Sequence, residues 1–217
     1  MLGNLLLDCL VAALLLAGWY FWFRRRNRRR AIAVLSWIED AFSGRGIVLR
    51  VRWQGASRFY VDLLLCRAMF RRASLRIQLQ PREMPFHWAL HRVCHRRETV
   101  TFEAELEQAP SLGLHVQNYT WHGRMRRPIP KSLAGWRFEP LGRTLITSRP
   151  DWEQEFGQVV ETILAARSCH FTHVAFRRRA PHLVATAPLE SLCPAARNAA
   201  MFEVLQELAS SASTSTL

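Results

Sequence analysis

The chain has 217 residues, 49% of them hydrophobic, and a formal net charge of +13 at pH 7. With an N-terminal anchor set aside, about 190 residues remain that alternate apolar and polar positions, which excludes a disordered chain and allows one domain or two small, intimately packed ones. Five cysteines without a CxxC pair (Cys9, Cys66, Cys94, Cys169, Cys193) argue against a disulfide framework and for free, mostly buried thiols.

Leu2 to Phe23 form a nearly continuous apolar run in which only Asp8 is charged. About 20 such residues in a helix cross the hydrocarbon core of a bilayer. Trp19, Tyr20 and Trp22, in the aromatic cluster that ends the run, suit the headgroup level. Arg24, Arg25, Arg26, Arg28, Arg29 and Arg30 follow as RRRNRRR and act as membrane-orienting charges, holding the next segment on the cytoplasmic side. A secretory signal places its charge before the apolar run and small residues at its end; here the order is reversed, which argues against cleavage. Asp8 falls near the outer interface, where a carboxylate reaches headgroups or water. The expectation is a single pass through a bacterial plasma (inner) membrane, with the N-terminus outside, residues 2–23 in lipid and residues 24–217 in the cytoplasm.

The helix is expected to continue through Ala31 to Phe42, with Ile32, Leu35, Ile38 and Phe42 on one stripe beside Ala31, Val34 and Ala41. Ser43, Gly44 and Gly46 then stop it. Ile47 to Leu65 reads as a β-hairpin around QGAS, with Leu49, Val51 and Trp53 on one face and Arg50 and Arg52 on the other. Ser74 to Leu79 repeats the alternation. Pro81 and Pro85 precede a short helix, Phe86 to His95, whose Phe86, Ala89, Leu90, Val93 and Cys94 have the spacing of a buried face. Glu98 to Leu106 alternates strictly, and Leu114 to Trp121 does so with a slip near Asn118. Residues 122–133 form an exposed, proline-containing loop and a soft subdomain boundary. Trp136 to Thr147 supplies one or two strands, and Asp151 caps a helix through Ala166. His170 to Arg177 and His182 to Ala187 make a second hairpin, and a helix from Pro194 turns Phe202, Leu205 and Leu208 to the core. The fold class is α+β: an N-terminal transmembrane helix, then a mainly antiparallel-sheet cytoplasmic domain with three or four helices. The domains are a transmembrane anchor with its arginine run (1–30), the α+β domain (31–209) and a disordered tail (210–217).

Two constellations carry chemistry. His87, His91 and His95 stand four residues apart, so a helix stacks them on one stripe where a metal could bind. The glutamate of HExxH is missing, and only Glu83 and Glu98 stand near, so a solvated polar face accounts for the stripe equally. The second is basic. Arginine outnumbers acid by 19 basic to 9 acidic residues over 31–150, with Lys131 the single lysine. Arg50, Arg52, Arg58 and Arg76 could share one face as an anion-binding surface. Such a face suits anionic lipid headgroups beside the anchor or, with Trp53, Phe59, Tyr60 and Phe70 interleaved, nucleic acid; a plain solvated surface is the simplest account. GxGxxG, GxxxxGK[ST] and GxSxG are all absent, no carboxylate pair has a catalytic geometry, and no cofactor is expected. The residues therefore favour binding over catalysis. The expected function is a binding or scaffold module at the inner membrane face, whose partner is an unidentified membrane or cytoplasmic protein. The alternatives are a membrane-tethered nucleic-acid-binding domain and a metal-dependent enzyme using the His stripe.

Overall fold

The computed structural model describes residues 2–66, 69–94, 96–110, 113–118, 137–141, 144–148, 161, 171–192 and 203–210. Their element order begins with one unbroken helix, α1 (Leu2–Phe42), of 41 residues, about 60 Å long at 1.5 Å per residue. Its N-terminal half is long and apolar enough to cross a membrane, with a window of mean hydropathy 1.9 and none of that window buried. Gly44, at φ +74°, takes the left-handed conformation that ends the helix, and the Arg45 amide bonds back to the Phe42 carbonyl at 3.0 Å.

Nine strands follow: β1 (Gly46–Trp53), β2 (Arg58–Leu65), β3 (Phe70–Gln78), β4 (Thr99–Leu106), β5 (Leu114–Asn118), β6 (Arg137–Leu141), β7 (Thr144–Ser148), β8 (His173–Phe176) and β9 (Leu183–Pro188). They form one antiparallel sheet in the order β1-β2-β3-β4-β9-β8-β5-β7-β6. The last hairpin, β8–β9, is inserted between β4 and β5, so strands from both sides of residues 122–133 share a single sheet. Two short helices accompany the strands: α2 (Pro85–Val93), in the β3–β4 connection, and the one-turn α3 (Leu189–Leu192), which follows β9. Residues 203–210 are also helical.

Alternation along the strands builds the core. β2 turns Phe59, Val61, Leu63 and Leu65 inward; β3 turns Leu75 and Ile77, and β4 turns Val100, Phe102, Ala104 and Leu106. These join Ala31, Val34, Ile38, Ala41 and Phe42 of α1, and Leu205 and Leu208 near the C-terminus, in one apolar cluster. Gly46 is demanded by packing at the start of β1: a Cβ there would lie 2.6 Å from the Leu64 carbonyl oxygen.

Several expectations need correction. Ile32 is 57% exposed, because the buried stripe of α1 runs through Ala31, Val34 and Ile38 and leaves Ile32 on its flank. Leu49 is also outside the core: a register shift between Val48 and Arg50 turns Val48 and Val51 inward and leaves Leu49 exposed. The helix at Phe86 has an apolar face, but α2 buries none of its residues. Of the described cysteines, Cys9 and Cys66 are exposed and Cys94 is half-buried, so the thiols are not mostly buried. The helix expected at 151–166 and the loop at 122–133 lie outside the described residues apart from Glu161, as does the tail beyond Ser210.

The stripe predicts a contrast between two isoleucines six residues apart on α1. Ile38→Ala should destabilise the detergent-solubilised protein by about 2–5 kcal/mol, the usual cost of truncating a buried aliphatic side chain. Ile32→Ala should stay within about 0.5 kcal/mol, as exposed substitutions do. Equilibrium denaturation of both variants would measure this; equal losses would contradict the assigned stripe.

Candidate functional site

The four arginines Arg50, Arg52, Arg58 and Arg76 come to one surface through strand register. Arg52 pairs with Tyr60, which pairs with Arg76; Arg50 pairs with Asp62, and Arg58 with Gln78. Paired residues share a sheet face, and the inward positions of β2 and β3 are taken by Phe59, Val61, Leu75 and Ile77. All four arginines therefore project from the outer face, opposite the apolar cluster. The same rows continue through Thr101, Thr186 and His173, with the Thr101 and Thr186 hydroxyls 3.1 Å apart.

This face is mixed in charge. Arg52 donates to Asp62 at 2.9 Å, and the Arg76 guanidinium lies 5.3 Å from the Tyr60 ring centre. Glu103 and Glu105 of β4 share the face, and Arg71 reaches Glu105 at 3.8 Å. Among the described residues Arg50 and Arg58 have no ion-pair partner. Phe59 and Phe70 are buried, so of the four interleaved aromatics only Tyr60 and the half-exposed Trp53 lie at the surface. Trp53 itself packs on Phe59, ring centres 5.0 Å apart.

The second cluster joins the apolar half of α1 to the β3–β4 connection, and it is absent from the sequence-based expectations. Asn27 is fully buried in the middle of the arginine run. Its Nδ2 donates to the Gln80 carbonyl at 3.0 Å and to Glu83 Oε2 at 2.6 Å. One turn on, Arg30 Nε donates to Glu98 Oε2 at 2.7 Å, while Arg82 reaches Glu98 Oε1 at 3.4 Å. Glu98 is only 3% exposed. Eight residues before Asn27, the Trp19 indole donates to the Arg82 carbonyl at 3.0 Å and meets Trp88 of α2 edge-on, ring centres 6.1 Å apart. Trp19, Phe23, Asn27, Ala31, Val34 and Ile38 thus form one stripe along one side of α1. That spacing was the available signal: Asn27 lies four residues before Ala31 and seven before Val34, in phase with the apolar stripe. Arg24, Arg25, Arg26, Arg28 and Arg29 remain exposed, as do Tyr20 and Trp22.

The His stripe sits in cationic surroundings. His87 is exposed and His91 half-buried on α2, and His95 lies outside the described residues. Burial, then the charges of Arg96, His87 and Arg58, hold His91 below its ordinary pKa. The same positive field opposes a bound cation. Among the described residues no group of three His, Cys, Asp or Glu side chains could hold a metal ion.

A further pair was not anticipated. His115 of β5 and His173 of β8 bring ring nitrogens to 3.3 Å. Burial, and secondarily Arg177, lower the His115 pKa to about 4. Both residues alternate outward in their strands, but adjacency of β5 and β8 cannot be read from local pattern.

No protein-family model and no curated protein matches this chain.

Two predictions follow from the junction and the histidine pair. Arg30→Ala and Arg29→Ala each remove one charge from the same run, yet only Arg30 holds a buried carboxylate. Arg30→Ala should cost about 2 kcal/mol, the scale of a hydrogen bond to a charged group, and Arg29→Ala almost nothing. Denaturation midpoints that move together would refute the assignment. For His115, the folded state keeps the ring neutral while the unfolded chain takes up a proton below about pH 6.5. Stability should accordingly fall as pH drops from 6.5 towards 4, and His115→Gln should flatten that fall. Denaturation at stepped pH compares the two slopes.

Proposed function

We propose that the chain is a single-pass protein of the plasma (inner) membrane, N-terminus outside, whose cytoplasmic α+β domain is a binding or scaffold module. The observation that carries this reading is the continuity of α1. One helix supplies both the apolar run and a strip of the domain core, and Trp19, Asn27 and Arg30 clamp it to the β3–β4 connection. A module that must search for its partner is hung on a flexible linker, whose reach grows with length. A module joined by a packed helix is held at one height and one orientation. The outer face, with Arg50, Arg52, Arg58, Arg76, Tyr60 and the threonine pair, is then the surface offered to a partner at the membrane. Its mixture of arginines with Asp62, Glu103 and Glu105 suits a protein surface of matching charges better than a uniformly negative polyanion. Two surface aromatics make a poor stacking platform for bases, which puts nucleic acid second.

The test joins topology to contact. A fluorescent-protein fusion after Leu217 should fluoresce and an alkaline phosphatase fusion at the same point should be inactive; the reverse result overturns the topology. A photo-crosslinking amino acid at position 50 or 76, in intact cells, should trap a discrete protein. Adducts to nucleic acid alone would replace the protein-binding reading with the second one, and no adduct from either position would remove the outer face as the binding surface.

A further inference from the structure

α2 is an amphipathic helix turned inside out with respect to the domain. Pro85, Trp88, His91 and Cys94 are its half-buried side, facing the protein. Phe86, Leu90 and Val93 point the other way, 86%, 55% and 76% exposed, with Met84 exposed just before them. Spacing of four and then three residues places the three side chains on one helical face. A contiguous exposed apolar helix face marks a partner or a membrane.

Height along α1 says which. Trp19 lies eight residues above Asn27, about 12 Å along the helix axis. Its bonds to the Arg82 carbonyl and its contact with Trp88 place α2 beside the last turns of the apolar run, above the part of α1 that joins the sheet core. A hydrocarbon core of about 30 Å that begins at Leu2 ends near Trp22, level with α2. The surroundings of α2 are basic. Arg24, Arg25, Arg26, Arg28 and Arg29 are exposed on α1; Arg92 lies 5.7 Å from the Trp88 ring centre; Arg96 and Arg97 follow the helix. The turn that precedes Arg58 lies at the same end of the sheet, since Arg58 pairs with Gln78 and Gln78 with Thr99. An apolar face with aromatic and leucine side chains, rimmed by arginine, is the composition of a helix that lies in a membrane interface.

We propose that α2 lies in the cytoplasmic leaflet of the bilayer spanned by α1, with Phe86, Leu90 and Val93 among the acyl chains and the surrounding arginines on anionic headgroups. The inference rests on α1 being a membrane span. It gives the domain a second hold on the membrane, beside the first and offset from it, which fixes the tilt of the sheet as well as its height.

Spin labels on the full chain test this, in vesicles of phosphatidylcholine and phosphatidylglycerol and with the native cysteines replaced. Labels at Leu90→Cys, His87→Cys, Arg50→Cys and Ala12→Cys are compared for accessibility to oxygen and to a water-soluble nickel complex. The expected result is high oxygen and low nickel accessibility at 12 and 90, and the reverse at 50, with 87 between. Nickel access at 90 equal to that at 50, while 12 stays in lipid, overturns the α2 proposal alone. A label at 90 shielded from both reagents and immobilised overturns it in favour of a protein covering that face. Nickel access at 12 overturns the span reading and the proposal together.

Discussion

Asn27 is buried between arginines, and the arrangement of the whole chain depends on how its amide is used. The Nδ2 group donates twice, to the Gln80 carbonyl and to the Glu83 carboxylate, and Oδ1 is buried with no partner among the described residues. An orphaned buried acceptor costs roughly 1–3 kcal/mol. Rotating the amide would rescue nothing, because Oδ1 would then face a carbonyl and a carboxylate and both donated bonds would be lost. The observed orientation keeps two bonds, one of them charge-assisted, at the cost of one acceptor. Arg30 and Glu98 stand one turn further along, so two polar contacts on one side of α1 grip the β3–β4 connection where the helix meets the sheet.

Those contacts also set the rotation of α1. A slip of α1 by one residue turns it by about 100° and would bring Arg26 or Arg28 into the pocket that Asn27 occupies. A buried guanidinium beside Glu83 would gain one partner but has five N–H groups to satisfy, and the Ala31, Val34 and Ile38 stripe would rotate out of the core at the same time. Polar specificity and apolar burial therefore select the same register. The apolar cluster supplies most of the stabilisation, being non-directional; Asn27 and Arg30 say which of several similar helical registers is occupied. The arginine run has two physical jobs as a result. Five of its side chains stay in solvent, and Arg30, itself 42% exposed, reaches Glu98 and neutralises it.

Local pattern carried a large part of the fold. The α1 continuation, the β1–β2 hairpin, the alternation of Leu75, Ile77 and the β4 residues, and the β8–β9 hairpin all follow from side-chain period, which is local information. Failures cluster where period is ambiguous or where contacts are distant. Leu49 has the right parity for the core, but a bulge shifts the register beyond it. Phe86, Leu90 and Val93 have the spacing of a buried face, and periodicity identifies an apolar face without saying whether protein or lipid covers it. The order β4-β9-β8-β5 depends on the β4–β9 and β5–β8 pairings, whose partners lie 56 to 89 residues apart, which no window of the sequence contains. The junction was the most instructive omission. RRRNRRR reads as charge alone, yet its one uncharged position is in phase with Ala31 and Val34, and that phase marks it as buried.

On the proposed function, the outer face serves as a binding surface while the sheet edge discourages pairing with a second copy. β1 is an edge strand, and its unpaired backbone groups are a template for another strand. Here the edge carries Arg50 and Arg52 on the outer side, and the bulge between Val48 and Arg50 breaks the run of evenly spaced donors and acceptors. Like charges on a second β1 would meet these arginines directly, and the bulge would put an incoming strand out of step after a few residues. What remains available is the face and not the edge: Tyr60 under the Arg76 guanidinium, Arg52 held by Asp62, and the threonine pair behind them. These side chains are already oriented by one another, so less rotamer freedom is lost when a partner covers them. A helix that cannot swing and a face that is already ordered act in the same direction. On the proposed function, both would lower the entropic cost of association for a partner confined to the same membrane, and neither would help capture a partner from bulk solution.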